Sequence, residues 1–256
     1  MRNLRFASLT GLLCVAALAQ PVTPPKYVQI DYMKVDAGRG QQYVKMEQEI
    51  FKPIHQDRIK KGTIESWAVY AVRFPAGTNR EYDFMTATTF PNYASMELPY
   101  KGTDIAQIHP NMTAQEIGER ASSARKLIRS DVFYTIDRVG TPSKWKYMEM
   151  QFMKAEPGKG GDYLRVVQEL WKPVHEERVK EGLILGWGIA GLRYPGGSNR
   201  EYDYVTATYY DTFAGLEEPY KGIDEAKLNA AAERAATTRK LVRGEVWILV
   251  DRVSKQ

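Results

Sequence analysis

The sequence predicts an α+β protein made of two copies of one βαββαβ unit. Residues 26–102 align without a gap on residues 146–222, and Arg125-Lys126-Leu127-Ile128-Arg129 returns near the end as Arg239-Lys240-Leu241-Val242-Arg243. A period of roughly 114 to 120 residues is that of a small domain rather than of a solenoid repeat. Within each copy, the spacing of apolar residues changes between the periods of a strand and of a helix. Together these observations predict a duplicated domain.

The elements of the first copy follow from this spacing. Alternating β-forming residues predict strands, apolar residues at helical spacing predict helices, and the Pro/Gly/Asn cluster at 75–79 joins two strands in a hairpin. The second copy repeats the order over residues 147–253. The predicted elements are, in order, strand 27–35, helix 38–62, strands 64–74 and 81–90, a short helical piece at 93–98, an irregular stretch, helix 115–129 and strand 132–138.

This order is that of a ferredoxin-like unit, whose sheet has helices on one face only. One copy alone would leave an apolar sheet face in water, whereas two copies can close that face on each other. The chain therefore resembles the dimeric α+β barrel superfamily, which includes antibiotic-biosynthesis-type monooxygenases, haem-degrading monooxygenases, EthD-like and NIPSNAP-like proteins. The resemblance covers nearly all of residues 26–253 and implies two ferredoxin-like repeats fused into a pseudo-twofold barrel. It implies no single activity, because one fold carries many chemistries.

The first residues predict export. Arg2 and Arg5 form a basic region, an apolar stretch of about ten residues follows, and Ala17-Leu18-Ala19 matches a cleavage site. That stretch is far shorter than the roughly 20 residues of a membrane-spanning helix. We therefore expect a periplasmic or secreted protein. The predicted organisation is a signal peptide at 1–19, a tail at 20–25, repeat 1 at 26–139, a linker at 140–145 and repeat 2 at 146–253.

The amino-acid composition excludes some classes of ligand and partner. Cys14 is the only cysteine and lies in the predicted signal peptide, so the mature chain has no disulfide and no cysteine ligand. The formal net charge of +5 includes Arg2 and Arg5, and the remaining excess is spread along the chain, which argues against nucleic acid. We expect a small-molecule ligand and a monomer that is its own pseudo-dimer, or a higher homo-oligomer.

The sharpest local motif is Lys52-Pro53-Ile54-His55, which returns as Lys172-Pro173-Val174-His175. Proline inside a helix predicts a kink. His55 with Arg58, and His175 with Arg178, could meet an anionic or enolisable ligand, with the histidine as proton acceptor. In the alternative, the histidine has a structural role at a pocket edge and the arginine extends to a carboxylate.

A second motif, Asn79-Arg80-Glu81-Tyr82-Asp83, returns unchanged as Asn199-Arg200-Glu201-Tyr202-Asp203. A hairpin that turns about Gly77 would place Arg73 opposite Glu81, an ion pair that favours this register. In the alternative, Asp83 and Asp203 point into a pocket, where burial raises the carboxyl pKa and permits acid or base chemistry.

The first strand of each copy has unusual polar positions, Asp31 in copy one and Glu149 in copy two. A strand buried on both faces should be more apolar. Together with Trp67, Trp187 and Tyr70, these positions predict a partly polar, aromatic-lined cavity between the sheets. Pairing across the pseudo-twofold axis is the alternative.

The predicted function is an exported small-ligand-binding barrel that acts on an aromatic or anionic metabolite. The alternatives are a non-catalytic binding or interaction module and a haem-binding protein. We expect no resident cofactor: His55 and His175 should lie too far apart to share a metal, while one axial histidine in each copy leaves haem open. An enzyme of this kind would be a cofactor-independent monooxygenase or isomerase. The candidate catalytic residues are His55, His175, Asp83 and Asp203, and the candidate ligand-binding residues are Arg58, Arg178, Trp67, Trp187, Asp31 and Glu149.

Overall fold

The computed structural model describes residues 26–77, 79–140 and 144–255 and contains a closed eight-stranded barrel. The strands are β1 Tyr27–Lys34, β2 Ser66–Phe74, β3 Phe84–Phe90, β4 Lys126–Val139, β5 Tyr147–Ala155, β6 Gly186–Tyr194, β7 Tyr204–Tyr210 and β8 Arg239–Ser254. The helices are α1 Gly40–Met46, α2 Lys52–Lys60, α3 Ile105–Ile108, α4 Ala114–Ala124, α5 Gly160–Val166, α6 Lys172–Lys180 and α7 Glu225–Ala236. The predicted signal peptide, the tail and residues 141–143 of the predicted linker lie outside the described residues, and the domain boundaries stay predictions.

The strand order around the barrel is β1-β3-β2-β8-β5-β7-β6-β4, closed by pairing of β4 with β1. Each repeat contributes four neighbouring strands, in the ferredoxin-like order. Its long last strand, β4 or β8, then pairs with the second strand of the other repeat. This antiparallel closure removes every sheet edge, and it confirms the predicted fold.

Three apolar clusters fill the molecule. One lies inside the barrel and takes residues from both repeats, among them Phe133 and Phe152. The other two lie outside it, where α1 and α2 cover the sheet of repeat 1 and α5 and α6 cover that of repeat 2. Both faces of the sheet are thus covered, one by helices and the other by the opposite repeat. In the described part of the chain, no helix has the length and apolar character of a membrane span.

Two local predictions about repeat 1 need correction. The helix predicted over 115–129 ends at Ala124, because Arg125 has extended backbone and Lys126 already pairs with Lys34 in the ladder between β4 and β1. Strand pairing there overrides the helix propensity of Lys, Leu and Arg.

The predicted kink before Pro53 takes the form of a π-helical turn, Glu47–Phe51, and Val167–Trp171 is its counterpart before Pro173. Such turns are common at functional sites.

The repeated motifs hold the two repeats together. Lys52 on α2 bonds both oxygens of Asp251 on β8 at 2.8 and 2.9 Å, and Lys172 repeats this contact with Asp137 on β4. Each ion pair therefore joins a helix of one repeat to the last strand of the other.

The second repeated motif joins the repeats inside the barrel. Tyr82 donates to Glu245 at 2.5 Å, and in the reciprocal contact Tyr202 donates to Asp131. Both acceptors are buried, so each hydroxyl satisfies a carboxylate that would otherwise be costly to bury.

The predicted pairing of Arg73 with Glu81 is wrong. The ladder pairs Ala71 with Phe84, one position away from the predicted register, and Glu81 bonds Arg129 on β4 at 2.6 Å. In repeat 2, Glu201 likewise bonds Arg243 on β8.

Candidate functional site

A cavity of about 840 Å³ occupies the barrel between the two sheets and reaches its mouth. One wall is aromatic: Tyr70 and Trp247 lie 5.9 Å apart, and Trp145 and Tyr209 lie 5.2 Å apart, as ring centroids. This volume falls within the usual range for small-molecule sites, roughly 300–1,000 Å³. A cavity between the sheets is therefore present, and Tyr70 lines it as the sequence analysis expected.

The cavity exists because the two repeats differ at inward-facing positions. Tyr70, Tyr209 and Trp247 have smaller counterparts in the other repeat. Tyr70 corresponds to Ala190, Tyr209 to Thr89 and Trp247 to Phe133, and these smaller residues also line the cavity. Large rings at all three pairs of positions would fill the lumen, whereas this arrangement leaves an open half that faces an aromatic wall.

The mouth of the cavity carries positive charge. Arg138 and Arg252 occupy equivalent positions at the ends of β4 and β8. Lys26 lies in the same lining and is paired with Glu65 at 2.6 Å. The Arg252 guanidinium lies over the Trp145 ring at 4.3 Å, so the cation borders the aromatic wall directly. The carboxylates beside these arginines, Asp137 and Asp251, are bonded to Lys172 and Lys52. The mouth therefore favours an anionic group on a ligand.

The inner part of the aromatic wall is fixed by hydrogen bonds. The Trp247 indole donates to Glu245 at 2.7 Å, and Arg243 donates to the same carboxylate at 2.7 Å. With Tyr82 as a third donor, Glu245 is a fully bonded carboxylate that sets the orientation of Trp247. Burial raises the pKa of the Tyr82 hydroxyl, and Glu245 raises it further. Tyr82 thus stays protonated as a donor.

The two histidine motifs lie outside the barrel, beneath the helices. His55 stacks on Trp67 at 4.7 Å, and His175 stacks on Trp187 at 4.4 Å. The Nη1 atom of Arg58 lies 2.9 Å from Nδ1 of His55, and that of Arg178 lies 3.0 Å from Nδ1 of His175. Arginine can only donate, so each Nδ1 accepts and the ring proton sits on Nε2.

This geometry argues against the predicted role of the histidines as proton acceptors. The accepting nitrogen is already occupied by arginine. Burial, together with the neighbouring arginine charge, lowers the pKa of His55 and of His175 to about 3. Both rings are therefore neutral at physiological pH and act as fixed parts of the helix-to-sheet packing.

Arg58 and Arg178 are both 2% exposed, and each stacks on a tyrosine, Tyr100 or Tyr220. Arg58 also donates to the carbonyl of Pro99 at 2.8 Å. The two arginines thus hold the loops that follow β3 and β7, and neither lines the barrel cavity.

Asp83 and Asp203 lie at the hairpins, where the sequence placed them, but neither points into the cavity. Asp83 accepts from the backbone N–H of Val35 at 2.9 Å and from Arg80 at 2.7 Å. Partial burial alone would raise the pKa of Asp83, but these donors and Lys34 lower it instead. Asp203 accepts in the same way from Ala155 and Arg200. The predicted rise in the pKa of Asp83 is wrong, and hydrogen bonding is the reason.

The other predicted ligand-binding residues lie in two places, at the border of the cavity and on the helix-facing side of the sheet. Trp67 and Trp187 border the cavity while their indoles pack against the histidines. Asp31 and Glu149 lie on the helix-facing side of the sheet, so the prediction that they line the cavity between the sheets is wrong. Asp31 accepts from Ser130 at 2.5 Å, and Glu149 accepts from Tyr210 at 3.2 Å.

The residues present do not fit a haem group held by histidine. His55 and His175 are 5% and 4% exposed, and each stacks on two aromatic rings between helix and sheet, so neither ring has an open side for a haem group. Nε2 of His109 bonds the carbonyl of Ile50 at 2.9 Å. None of these three histidines lines the barrel cavity. The described residues also contain no group of three or more metal-ligating side chains.

Sequence reasoning missed Trp145, Tyr209, Trp247, Arg138 and Arg252. Trp247 and Tyr209 have dissimilar residues at the equivalent positions of the other repeat, and this asymmetry was the available signal. The residues that are identical in both copies belong instead to motifs that hold the repeats together.

Comparison with known proteins identifies the fold. No family model matches the chain, and no curated protein matches it. The solved structures similar to it include a candidate monooxygenase of Lactobacillus acidophilus NCFM, with 8% identity, a TM-score of 0.59 and coverage of 90% of this chain and 96% of that chain. An anthrone oxidase-like protein has 10% identity, a TM-score of 0.55 and coverage of 90% and 93%. A dye-decolorizing peroxidase of Bacteroides thetaiotaomicron VPI-5482 has 10% identity, a TM-score of 0.54 and coverage of 88% and 93%. At these identities the likeness shows the fold alone, a closed α+β barrel of two ferredoxin-like repeats.

Proposed function

We propose that this chain is an exported small-ligand-binding barrel whose cavity takes an aromatic molecule that carries an anionic group. The observation that carries this proposal is the cavity itself, with an aromatic wall in the lumen and two arginines at the mouth. The solved structures of similar fold include proteins whose names refer to oxidation of organic substrates, which fits a barrel that holds a small molecule.

The proposed orientation follows from the chemistry of the lining. An aromatic body would stack on Tyr70 and Trp247, and such ring pairs contribute roughly 0.5–1.5 kcal/mol beyond burial of their area. A carboxylate would then lie at the mouth, where Arg252 and Arg138 can form charge-assisted hydrogen bonds.

Binding, rather than turnover, is the function that the side chains support. The carboxylate in the cavity lining, Asp137, accepts from Lys172 at 2.9 Å. Deeper in the barrel, Glu245 and Asp131 are buried and bonded to tyrosine and arginine donors. The histidines are neutral, and each has its Nδ1 occupied by arginine. With these carboxylates paired and the histidines neutral, we assign the barrel to binding of its ligand.

Two further parts of the proposal concern the chain as a whole. We propose export through the N-terminal signal described above, with a ligand met outside the cytoplasm. We also propose that one chain acts as its own dimer, because each repeat covers the open sheet face of the other. The ion pairs of Lys52 and Lys172 across the repeats support this arrangement.

Titration of tryptophan fluorescence tests the proposed function, because Trp145 and Trp247 line the cavity. Benzoate, 4-hydroxybenzoate and 2-naphthoate are each compared with the uncharged amide. Ala190→Tyr places in repeat 2 the side chain that repeat 1 already has at Tyr70, and should fill the open half. Ala230→Tyr, on the exposed face of α7, is the matched control.

We expect saturable quenching by at least one acid, weaker binding of its amide, at least tenfold weaker binding to Ala190→Tyr and no change in Ala230→Tyr. Equal binding to both variants would place the ligand elsewhere. Absence of saturable binding across the series would refute an aromatic acid as the ligand.

A further inference from the structure

A second pocket, of about 820 Å³, lies outside the barrel on the helix layer of repeat 1. Its floor and walls are mainly apolar and come from the π-helical turn, α2, α3 and α4. They include Phe51, Ile54, Ile105, Ile117 and Ala121. Arg125 and Lys126 line the side at which β4 begins. The pocket therefore combines an apolar interior with a cationic side.

One wall of this pocket belongs to repeat 1 alone. The two copies align again only after a six-residue offset, and α3 with the segment that follows it has no counterpart in repeat 2. His109, in that segment, bonds the carbonyl of Ile50 at 2.9 Å and so ties the wall to the π-helical turn. The pocket is a feature added to one half of a symmetric frame.

Glu47 lies in the same π-helical turn and is 2% exposed. The Nε atom of Arg125 lies 3.8 Å from its carboxylate, a separation longer than a hydrogen bond, and this Nε has no hydrogen-bond partner among the described residues. Tyr43 on α1 and Asp31 on β1 are the other titratable groups that act on Glu47. The Arg125 side chain is 20% exposed, so it lies between a buried carboxylate and the pocket.

Repeat 2 shows that this carboxylate is not needed for folding. Val167 takes the position of Glu47 and is also 2% exposed, while Tyr163 and Arg239 keep the positions of Tyr43 and Arg125. An apolar residue thus satisfies the same packing site. Compared with valine, a buried carboxylate with one imperfectly placed counter-ion is costly to the stability of the fold. Glu47 is therefore expected to have a role other than stability.

We propose that the pocket of repeat 1 is a second ligand site, which takes a small amphipathic carboxylic acid with its carboxylate on Arg125 and its alkyl chain on the apolar wall. The ligand carboxylate competes with Glu47 for one guanidinium. Once Arg125 turns to the ligand, the buried Glu47 carboxylate loses its counter-ion and takes up a proton from solvent, because a buried unpaired charge is far more costly than a neutral acid. Binding is thereby coupled to proton uptake.

The electrostatics of Glu47 are consistent with this exchange. Burial raises the pKa of Glu47 to about 7, against the opposing effects of Tyr43 and Arg125. Glu47 is then about half ionised at pH 7 and mostly ionised at pH 8. Ligand binding should therefore take up a fraction of a proton at neutral pH.

Isothermal titration of the full chain with decanoate, in phosphate and in Tris buffer, measures both affinity and proton uptake. Decanol is the uncharged control ligand. Arg125→Gln tests the anion site, and Arg239→Gln is its matched control at the equivalent position of repeat 2. Glu47→Val introduces the residue that repeat 2 already tolerates, so the variant should fold, as thermal unfolding will verify.

We expect decanoate to bind at least tenfold more tightly than decanol, a tenfold or larger loss in Arg125→Gln and no change in Arg239→Gln. In Glu47→Val, decanoate should bind as tightly as in wild type or more tightly, without buffer-dependent heat. Ala190→Tyr, which fills the barrel cavity, should leave decanoate binding unchanged, so the two sites can fail independently. Absence of decanoate binding, equal effects of the two arginine variants, or proton uptake that persists in Glu47→Val would each overturn the proposal.

Discussion

Replacement of the two buried histidines should remove much of the protein's sensitivity to mild acid. The variant is His55→Asn/His175→Asn, because asparagine keeps an acceptor for Arg58 and Arg178 but does not titrate. The folded-state pKa of each histidine is lowered to about 3, below the ordinary value of 6.5. A lowered pKa contributes stability that is present above pH 6.5 and is lost as the pH falls toward 3.

The magnitude follows from these shifts. At pH 5, which is about 1.5 units below the ordinary histidine pKa, both histidines are protonated in the unfolded state and neutral in the folded state. Each costs about 2 kcal/mol, so the wild type should lose about 4 kcal/mol through the histidines between pH 7.5 and pH 5. Glu47 acts in the opposite direction over part of this range, but it is present in both proteins and cancels in the comparison.

Urea unfolding at half-unit pH steps measures this difference. The variant should be less stable at pH 7.5, because each asparagine loses the stacking on Trp67 or Trp187, and the two curves should converge as the pH falls. A variant that keeps the full pH dependence of the wild type would refute the assignment of neutral, buried histidines.

Four other predictions test separate parts of the structure. Tyr82→Phe should lower the free energy of unfolding by roughly 1–3 kcal/mol, because Glu245 loses one of its donors in the barrel; an unchanged urea midpoint would exclude this contact. Because the pKa of Glu47 is raised, the wild type should lose on the order of 3 kcal/mol of stability as the pH rises from 4.5 to 7. Glu47→Gln should not show this loss, and a variant no more stable than wild type at pH 8 would contradict the prediction. The isolated segment 20–140 should dimerise or aggregate in sedimentation, because β2 and β4 lose their partner strands; a well-folded monomer would count against the fused barrel. Exported protein should begin at Gln20 by intact mass, and a mature chain that still contains Cys14 would disprove the cleavage site.

The fold could be predicted because duplication and hydrophobic spacing both point to it. A ferredoxin-like repeat must cover its open face, and a second copy on the same chain does so at no entropic cost of association. The spacing of apolar residues could not predict how the two sheets join. The pairing of β4 with β6 and of β8 with β2 depends on contacts remote in sequence, and the helix predicted through Arg129 gave way to that pairing.

The site was harder to predict, because identity between the copies reflects contacts that hold the repeats together. Lys52, Tyr82 and Asp251 recur because the pseudo-twofold axis uses each contact twice. The cavity depends instead on the positions at which the copies differ, such as Tyr70 against Ala190. For a duplicated barrel, symmetric residues indicate the frame and asymmetric ones indicate the candidate site.

Native mass spectrometry of the protein purified from its own host, with its ultraviolet–visible spectrum, shows whether the barrel holds an aromatic acid. Wild-type protein should retain a small aromatic acid that is released on denaturation, and Ala190→Tyr purified in parallel should carry none. A wild-type protein without a bound molecule, an equal amount of ligand on Ala190→Tyr, or a haem mass with its Soret absorption would contradict this prediction.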